Sequence, residues 1–139
     1  MIDRDVVLAK LDTIDRCLAR IEKVHGERGG NLLPIDVDDI TALNLQRAIQ
    51  AAIDLATHVV AAESYGSPDS MADAFTLLER RGVIDSGLTD RLRRLVGFRN
   101  IVIYEYQSID PAVVETIVEH HLGDLRGLGA RIVETFELS

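Results

Sequence analysis

The sequence predicts an all-α fold: an antiparallel four-helix bundle with one additional short helix. Apolar residues recur at intervals of three and four positions in four long stretches, which is the spacing of one face of an α-helix. No stretch alternates apolar and polar residues, and no hairpin signal is present, so strands are not expected. The short connections between the stretches favour antiparallel packing of neighbouring helices.

Length and composition are typical of a globular protein. The 139 residues are expected to form one domain, residues 1–139, with 47% apolar and 27% charged residues. Neither a membrane segment nor a signal peptide is expected, because no apolar stretch approaches about 18 residues and the chain starts with charged residues. The single Cys17 excludes an intrachain disulfide and predicts a packed thiol. These features indicate a cytoplasmic protein.

The charge distribution argues against general nucleic-acid binding, with one local exception. The net charge is −8, whereas nonspecific affinity for nucleic acids comes mainly from cations that contact phosphates. Six arginines nevertheless cluster among few acids: Arg80, Arg81, Arg91, Arg93, Arg94 and Arg99. We interpret most of them as a solvated face or as partners of nearby acids.

The first helix is expected from Asp3 to about His25. It stops at Gly26, before a flexible loop at residues 29–31, and His25 is expected to be a capping or surface residue. Its apolar seam consists of Val7, Leu11, Ile14, Leu18 and Ile21.

The second helix is expected to be capped by Asp36 or Asp38 and to run to about Ser64. Asp54 and His58 lie one turn apart in it, which favours a hydrogen bond or ion pair over a metal site. Four polar residues of this helix are candidates for a shared groove: Asn44, Arg47, Asp54 and His58.

A short third helix is expected through Arg81, capped by Asp69 or Ser70. The fourth is expected to start near Thr89 and to fray near residues 107–108. Asp110 and Pro111 then predict the start of a last helix that continues to near the C-terminus. Its glycines, Gly123, Gly127 and Gly129, require either a local bend or close packing.

The most informative stretch is residues 92–106, in which Arg99 and Asn100 precede three apolar residues and a Tyr-Glu-Tyr end. On a helix, Asn100 and Tyr104 share one face, whereas Arg99 and Tyr104 are splayed by about 140°. One copy of the helix therefore does not aim both at a single atom. A site that uses this pair is more naturally assembled from two helices, as in a symmetric dimer.

Residues 95–106 resemble the signature of the HEPN superfamily, and in particular of its HepT-like toxins. That signature is an arginine, usually followed by asparagine, then a histidine five positions after the arginine, then any residue and a tyrosine. The resemblance covers nearly the whole chain and extends to residues 43–48, 54–56, 75–78, 82–84 and 117–122.

The resemblance implies a homodimeric helical bundle whose motif residues line a cleft shared by two protomers. Family members are metal-independent endoribonucleases that act as toxins, with no cofactor and with mRNA or tRNA as substrate. By position, Arg99 would stabilise phosphate charge and Asn100 would orient the site, while Arg93 and Arg94 are candidate RNA contacts.

The resemblance also implies a partner. The cognate antitoxin of such toxins is a minimal nucleotidyltransferase of the MntA type, which silences the toxin by adding AMP groups to the motif tyrosine. By position, Tyr106 would be the target of this modification.

The chain departs from the family signature at Tyr104, which replaces the histidine. Histidine, with an ordinary pKa near 6.5, accepts a proton from a ribose 2′-hydroxyl at neutral pH, whereas a tyrosine of ordinary pKa near 10 is anionic only about one time in a thousand. General acid–base catalysis contributes about 10²–10⁴-fold, so Tyr104 is expected to weaken the reaction.

Two alternatives remain open at this point. Arg99 can pair with Glu105 or Asp90, with Tyr104 and Tyr106 capping the core through their rings. The chain can also be a catalytically silent HEPN module that binds a nucleotidyltransferase or is modified by it.

Overall fold

The computed structural model describes residues 1–26 and 31–138, and every regular element within them is helical. The elements are α1 (Arg4–Gly26), α2 (Pro34–Ala62), α3 (Asp73–Arg80), α4 (Ser86–Tyr104), a 3₁₀ turn (Tyr106–Ser108), α5 (Pro111–His120) and α6 (Leu122–Phe136). The all-α prediction is confirmed. The predicted flexible loop lies, apart from Asn31, outside the described residues.

Helices α1 and α2 form an antiparallel hairpin. The backbone N–H of Asp3, at the start of α1, donates to His58 Nε2 over 3.0 Å. At the other end, the His25 ring lies 2.9 Å from the Thr41 hydroxyl. The start of α1 therefore lies beside the C-terminal part of α2, and the end of α1 lies beside the N-terminal part of α2. His25 is a tertiary contact rather than the predicted capping or surface residue.

The predicted pair of Asp54 and His58 is wrong, because each side chain has another partner. Asp54 binds the Lys10 ammonium group at 3.2 Å, while His58 accepts from the backbone of α1. The predicted shared groove is also wrong. Arg47 and Asp54 line one surface depression, whereas the buried Asn44 amide donates to a carbonyl of its own helix.

Two helix starts differ from the prediction. α2 begins at Pro34 without a side-chain cap, because proline lacks an N–H and its φ angle already suits the first helical position. Neither Asp36 nor Asp38 is needed there. α4 begins before Thr89, since the Asp85 carboxylate accepts from the backbone N–H at the third following residue over 2.8 Å.

α3 begins at Asp73, three or more residues after the predicted caps Asp69 and Ser70. The Asp73 carboxylate accepts a hydrogen bond from the Asp69 backbone N–H over 3.2 Å. The turn before α3 is therefore closed by a side chain inside the helix rather than by one that precedes it.

The predicted last helix is interrupted at His121, which separates α5 from α6. Its start is as predicted: Asp110 accepts from the Ala112 backbone N–H over 2.9 Å, and Pro111 follows. At the interruption, the His121 imidazole lies 2.8 Å from the Asp124 carboxylate. This local contact accompanies the bend that the glycine content suggested.

The core lies between the α1–α2 hairpin and helices α3, α4 and α6. Cys17 is buried as predicted, and burial raises the pKa of its thiol. A Cβ atom on Gly129 would lie 2.5 Å from Leu11 Cδ2, so an alanine there would require the Leu11 side chain to shift. The largest fully buried side chains are Phe75, Ile14, Leu18, Ile21, Leu45, Ile49, Leu55, Leu78, Leu92, Leu125, Leu128 and Ile132.

Candidate functional site

The candidate site lies at the C-terminal end of α4, where the arginine–tyrosine stretch ends. Packing of one face of α4 against the core fixes the direction of the polar residues that follow. The buried apolar residues of this face are Leu88, Leu92, Leu95, Val96, Phe98 and Val102.

Arg99 is the buried cation of the site, with 9% of its surface exposed. Its Nη1 donates to Asn100 Oδ1 over 2.8 Å, and its buried Nε has no hydrogen-bond partner within residues 1–26 and 31–138. Of the two acids considered as partners from sequence, neither Asp90 nor Glu105 forms an ion pair with it. Because a buried charge without a partner is costly, this guanidinium is suited to bind an anion.

Asn100 and Tyr104 are exposed on the outer side of the same helix end. Asn100 holds the Arg99 guanidinium through its side-chain oxygen. Tyr104 is the last residue of α4 and is 76% exposed. The predicted helix over 99–104 is confirmed. Because of the helical geometry, Arg99 is buried against the core and Tyr104 is exposed to solvent.

Tyr106 begins the 3₁₀ turn and contacts α2. Its hydroxyl donates to the Asp39 carboxylate, and 46% of the side chain is exposed. This hydrogen bond, together with partial burial and the charges of Asp39 and Asp38, raises the pKa of Tyr106 to about 12. The phenol is therefore held protonated, with its oxygen against a carboxylate.

The two candidate RNA contacts of α4 point in different directions. Arg93 Nη1 donates to Asp73 Oδ1 at 3.1 Å and to the Thr76 hydroxyl at 3.0 Å, and this hydrogen bond holds the pKa of Asp73 below its ordinary value. Arg94 is exposed and lines a groove of about 330 Å³ between α4 and α5. Arg91 lines the same groove and binds Asp124 at 2.9 Å.

The interpretation of the arginine cluster as mostly paired or solvated agrees with these contacts. In addition, the Arg81 guanidinium stacks 5.0 Å from the centre of the Tyr65 ring. Within the described part of the chain, Arg99 differs from the others because it is buried without a carboxylate or an aromatic ring against it.

Sequence reasoning missed Asp39. It singled out Asp36 and Asp38 as caps, although Asp39 lies at four-residue spacing between the exposed Ile35 and Leu43 on one face of α2. Its contact with Tyr106 spans 67 positions, which local pattern does not predict.

No metal centre is apparent in the part of the chain that the structure describes. Residues 1–26 and 31–138 contain no group of three or more His, Cys, Asp or Glu residues that could hold a metal ion. No helix among them is long and apolar enough to cross a bilayer. The adjacent His120 and His121 face differently: His121 binds Asp124, whereas His120 is exposed.

These features define an all-helical protein with a buried arginine, without a carboxylate partner among the described residues, near the end of one helix. The chain belongs to the ribonuclease HepT-like family, since residues 14–132 match the family model of that description. The family predicted from the motif is thereby confirmed.

Two relatives of this chain are named as nucleases. The mRNA nuclease HepT of Shewanella oneidensis is 38% identical over 120 residues, which is 86% of this chain and 90% of the relative. The tRNA nuclease HepT of Aphanizomenon flos-aquae is 27% identical over 107 residues, 76% of this chain and 73% of the relative.

A solved structure extends the likeness to the fold. The tri-AMPylated Shewanella oneidensis HEPN toxin in complex with its MNT antitoxin matches with a TM-score of 0.85 and 37% identity. The match covers 92% of this chain and 96% of that toxin.

Proposed function

We propose that this chain is a HEPN ribonuclease toxin of a toxin–antitoxin pair. It cleaves RNA without a metal ion, in a cleft between two copies of the chain, and its chemistry is weakened by Tyr104. Family membership and the nuclease relatives support the activity. Since the named relatives act on mRNA in one case and tRNA in the other, both remain candidate substrates.

The observation that carries the proposal is the state of Arg99. A guanidinium that is about nine-tenths buried, with an unpartnered Nε, lacks the carboxylate that normally offsets such a charge. A phosphate supplies that charge and accepts two parallel N–H bonds from a guanidinium. Arg99 therefore binds the scissile phosphate and stabilises the charge that develops there.

Asn100 and Tyr104 complete the site on the exposed side of α4. Asn100 orients Arg99 through the 2.8 Å hydrogen bond to its Nη1. Tyr104 stands at the position of the proton acceptor, 76% exposed to solvent. A phenol is a poor base at neutral pH, so we expect the reaction to be slow in this chain.

We propose a symmetric homodimer as the active form. Exposed apolar side chains lie at and near the start of α2 and at the end of α4, and we propose that they form one patch, since exposed apolar patches mark interaction surfaces. They are Leu33, Ile35, Leu43, Ile101, Ile103 and Tyr104. A second copy covers this patch and brings its own Tyr104 toward Arg99, which one helix cannot do. A monomer mass by light scattering at micromolar concentration would contradict this assembly.

The proposed antitoxin is a minimal nucleotidyltransferase of the MntA type that modifies Tyr106. Support comes from the AMPylated state and MNT antitoxin of the solved relative, and from the exposure of Tyr106 in this chain. We also propose a cytoplasmic location, which RNA as the substrate supports. Arg94, exposed beside the α4–α5 groove, is the stronger of the two candidate RNA contacts because Arg93 is engaged with α3.

The test is cleavage of total tRNA and mRNA by the wild type and by Tyr104→His, side by side in EDTA. The histidine variant is expected to cleave about 10²–10⁴-fold faster, which is the usual contribution of a positioned base. If Tyr104→His leaves RNA intact at stoichiometric protein, the ribonuclease proposal fails.

A second candidate function is a catalytically silent HEPN module that is bound or modified by a nucleotidyltransferase. Tyr104 and the net charge of −8 favour it. The discriminating outcome is no cleavage by either variant, together with AMP transfer to Tyr106 by a transferase encoded beside this chain.

A further inference from the structure

The hydroxyl of Tyr106 contacts a carboxylate, and the residue itself is partly exposed. Tyr106 donates its proton to Asp39 on α2, and nearly half of the side chain remains exposed. A phosphorus centre can therefore approach the phenol oxygen while Asp39 holds the proton. Such an arrangement is that of a nucleophile with an adjacent base.

The hydrogen bond between Tyr106 and Asp39 lies at the edge of a cavity. Tyr106 and Asp39 border a small cavity of about 210 Å³, whose other walls are mainly apolar. From α2 the ionisable groups that line it are Asp39 and Asp38, and from α5 and its preceding loop only Ile109, Pro111 and Val114 contribute. None of the described residues that line this cavity is a cation, so none of them competes with Tyr106 for the Asp39 carboxylate.

A phenol in this setting needs a base in order to react. The hydrogen bond to Asp39 raises the pKa of Tyr106 to about 12, which makes the free phenolate scarce at neutral pH. Reaction through the neutral phenol then requires that a proton leave as the new bond forms. The acceptor already in contact is Asp39.

We propose that Asp39 is the proton acceptor for the AMPylation of Tyr106, a role that rests on the proposed function. The donor is a nucleoside triphosphate held by the transferase. The Tyr106 oxygen forms a bond to the α-phosphorus, the bond from that phosphorus to pyrophosphate breaks, and pyrophosphate leaves with its electron pair. The Tyr106 proton passes to Asp39 Oδ1.

The product cannot keep the original contact. The ester oxygen of modified Tyr106 has no proton to donate, and the phosphodiester brings a negative charge beside Asp38 and Asp39. Like charges at this distance repel. Modification therefore releases Tyr106 from α2.

The experiment measures the initial rate of AMP incorporation from labelled ATP and Mg²⁺ by a minimal nucleotidyltransferase of the MntA type, for which the MNT antitoxin of the solved Shewanella oneidensis complex serves as the probe. Substrates are the wild-type protein, Asp39→Asn and the matched control Asp38→Asn, with Tyr106→Phe as the blank. Asn at position 39 keeps an oxygen that accepts the hydrogen bond but cannot take the proton. We expect a loss of about 100-fold for Asp39→Asn and a rate near wild type for Asp38→Asn.

The pH profile separates proton acceptance from simple positioning. With Asp39 present, the rate relative to the transferase's own pH profile should be flat between about pH 7 and pH 9, since reaction through Asp39 does not depend on the amount of free phenolate. With Asp39→Asn, the relative rate should climb with pH, because reaction then requires the phenolate.

Three outcomes overturn the proposal. Asp39→Asn can be modified as fast as wild type, or faster, which would make Asp39 irrelevant or a restraint on Tyr106. Its rate can fall with an unchanged pH profile, which would leave only a positioning role. If the wild type itself takes up no AMP, both this role and the proposed transferase partnership fail, while the RNA cleavage test stands independently.

Discussion

Two arginines of α4 illustrate opposite uses of the same side chain. Arg93 is partly exposed and binds Asp73 and the Thr76 hydroxyl of α3. Arg99, less than two turns further on, is buried, and its Nε has no partner in the described chain. The fold satisfies the first arginine and leaves the second available.

The difference between Arg93 and Arg99 indicates which part of α4 carries the function. The N-terminal half of α4 is closed by internal contacts: Asp85 caps it, and Arg91 binds Asp124 at 2.9 Å. Its C-terminal end has a buried cation, an exposed Tyr104 and exposed apolar residues. Groups that a fold buries without partners are expensive and persist mainly where a ligand or second chain completes them.

The largest predicted contrast concerns cleavage. In the Tyr104→His background, Arg99→Met should lower the RNA cleavage rate by about 10²–10³-fold, because one preorganised group that stabilises developing charge is lost. Arg93→Met, which removes a cation of the same size from the same helix, should leave the rate nearly unchanged.

Stability measurements on the same two variants should show the reverse order. Arg93→Met loses contacts to α3 and should lower the midpoint of urea unfolding slightly, whereas Arg99→Met removes a buried unpaired charge and should not. Equal losses of cleavage in both variants would mean that the two arginines do not differ in function.

The next contrast is between the buried and exposed sides of α4. Leu92 is 1% exposed, and Leu92→Ala should lower the free energy of unfolding by about 2–5 kcal/mol, through lost burial and a cavity. Arg94→Ala, on the exposed side, should change it by less than about 0.5 kcal/mol. Chemical denaturation of both proteins checks this, and a small effect at Leu92 would mean that α4 is not anchored as described.

The smallest predicted effect is a change in the pKa of Tyr106. Tyr106 has its pKa raised to about 12, mainly by its hydrogen bond to Asp39. The protonated phenol is thus favoured in the folded protein, and its stabilising contribution is complete below about pH 10 and lost as the pH rises toward 12. The titration is followed by the ultraviolet absorbance of the tyrosine phenolate. Asp39→Asn should lower the pKa of Tyr106 toward the ordinary tyrosine value. If the titration curves of the variant and the wild type coincide, the hydrogen bond between Tyr106 and Asp39 is excluded.

The sequence predicted the helices well where periodicity is strong. The seam of α1 and the Asp110–Pro111 start of α5 depend on local spacing and capping chemistry. The glycines indicated a local bend or close packing in the last helix, but the position of the interruption at His121 was not predicted, because it involves a histidine–aspartate contact that intrinsic propensity does not encode.

The candidate site was predicted only in part. The motif located Arg99, Asn100, Tyr104 and Tyr106 on or beside α4, but no pattern shows that a helical arginine will be buried without a carboxylate. That depends on tertiary packing. The Asp39 contact to Tyr106 was missed for the same reason, since it joins residues 67 positions apart.

The central claim is that Arg99, a buried cation without a carboxylate partner among the described residues, binds RNA phosphate. Its most direct test is the affinity of the wild type, Arg99→Gln and Arg93→Gln for a fluorescent single-stranded oligoribonucleotide whose 2′-hydroxyls are methylated to prevent cleavage. We predict that Arg99→Gln weakens binding at least about tenfold, the effect expected for losing a charge-assisted bidentate contact, while Arg93→Gln binds like the wild type. Equal affinity of all three proteins would contradict the claim.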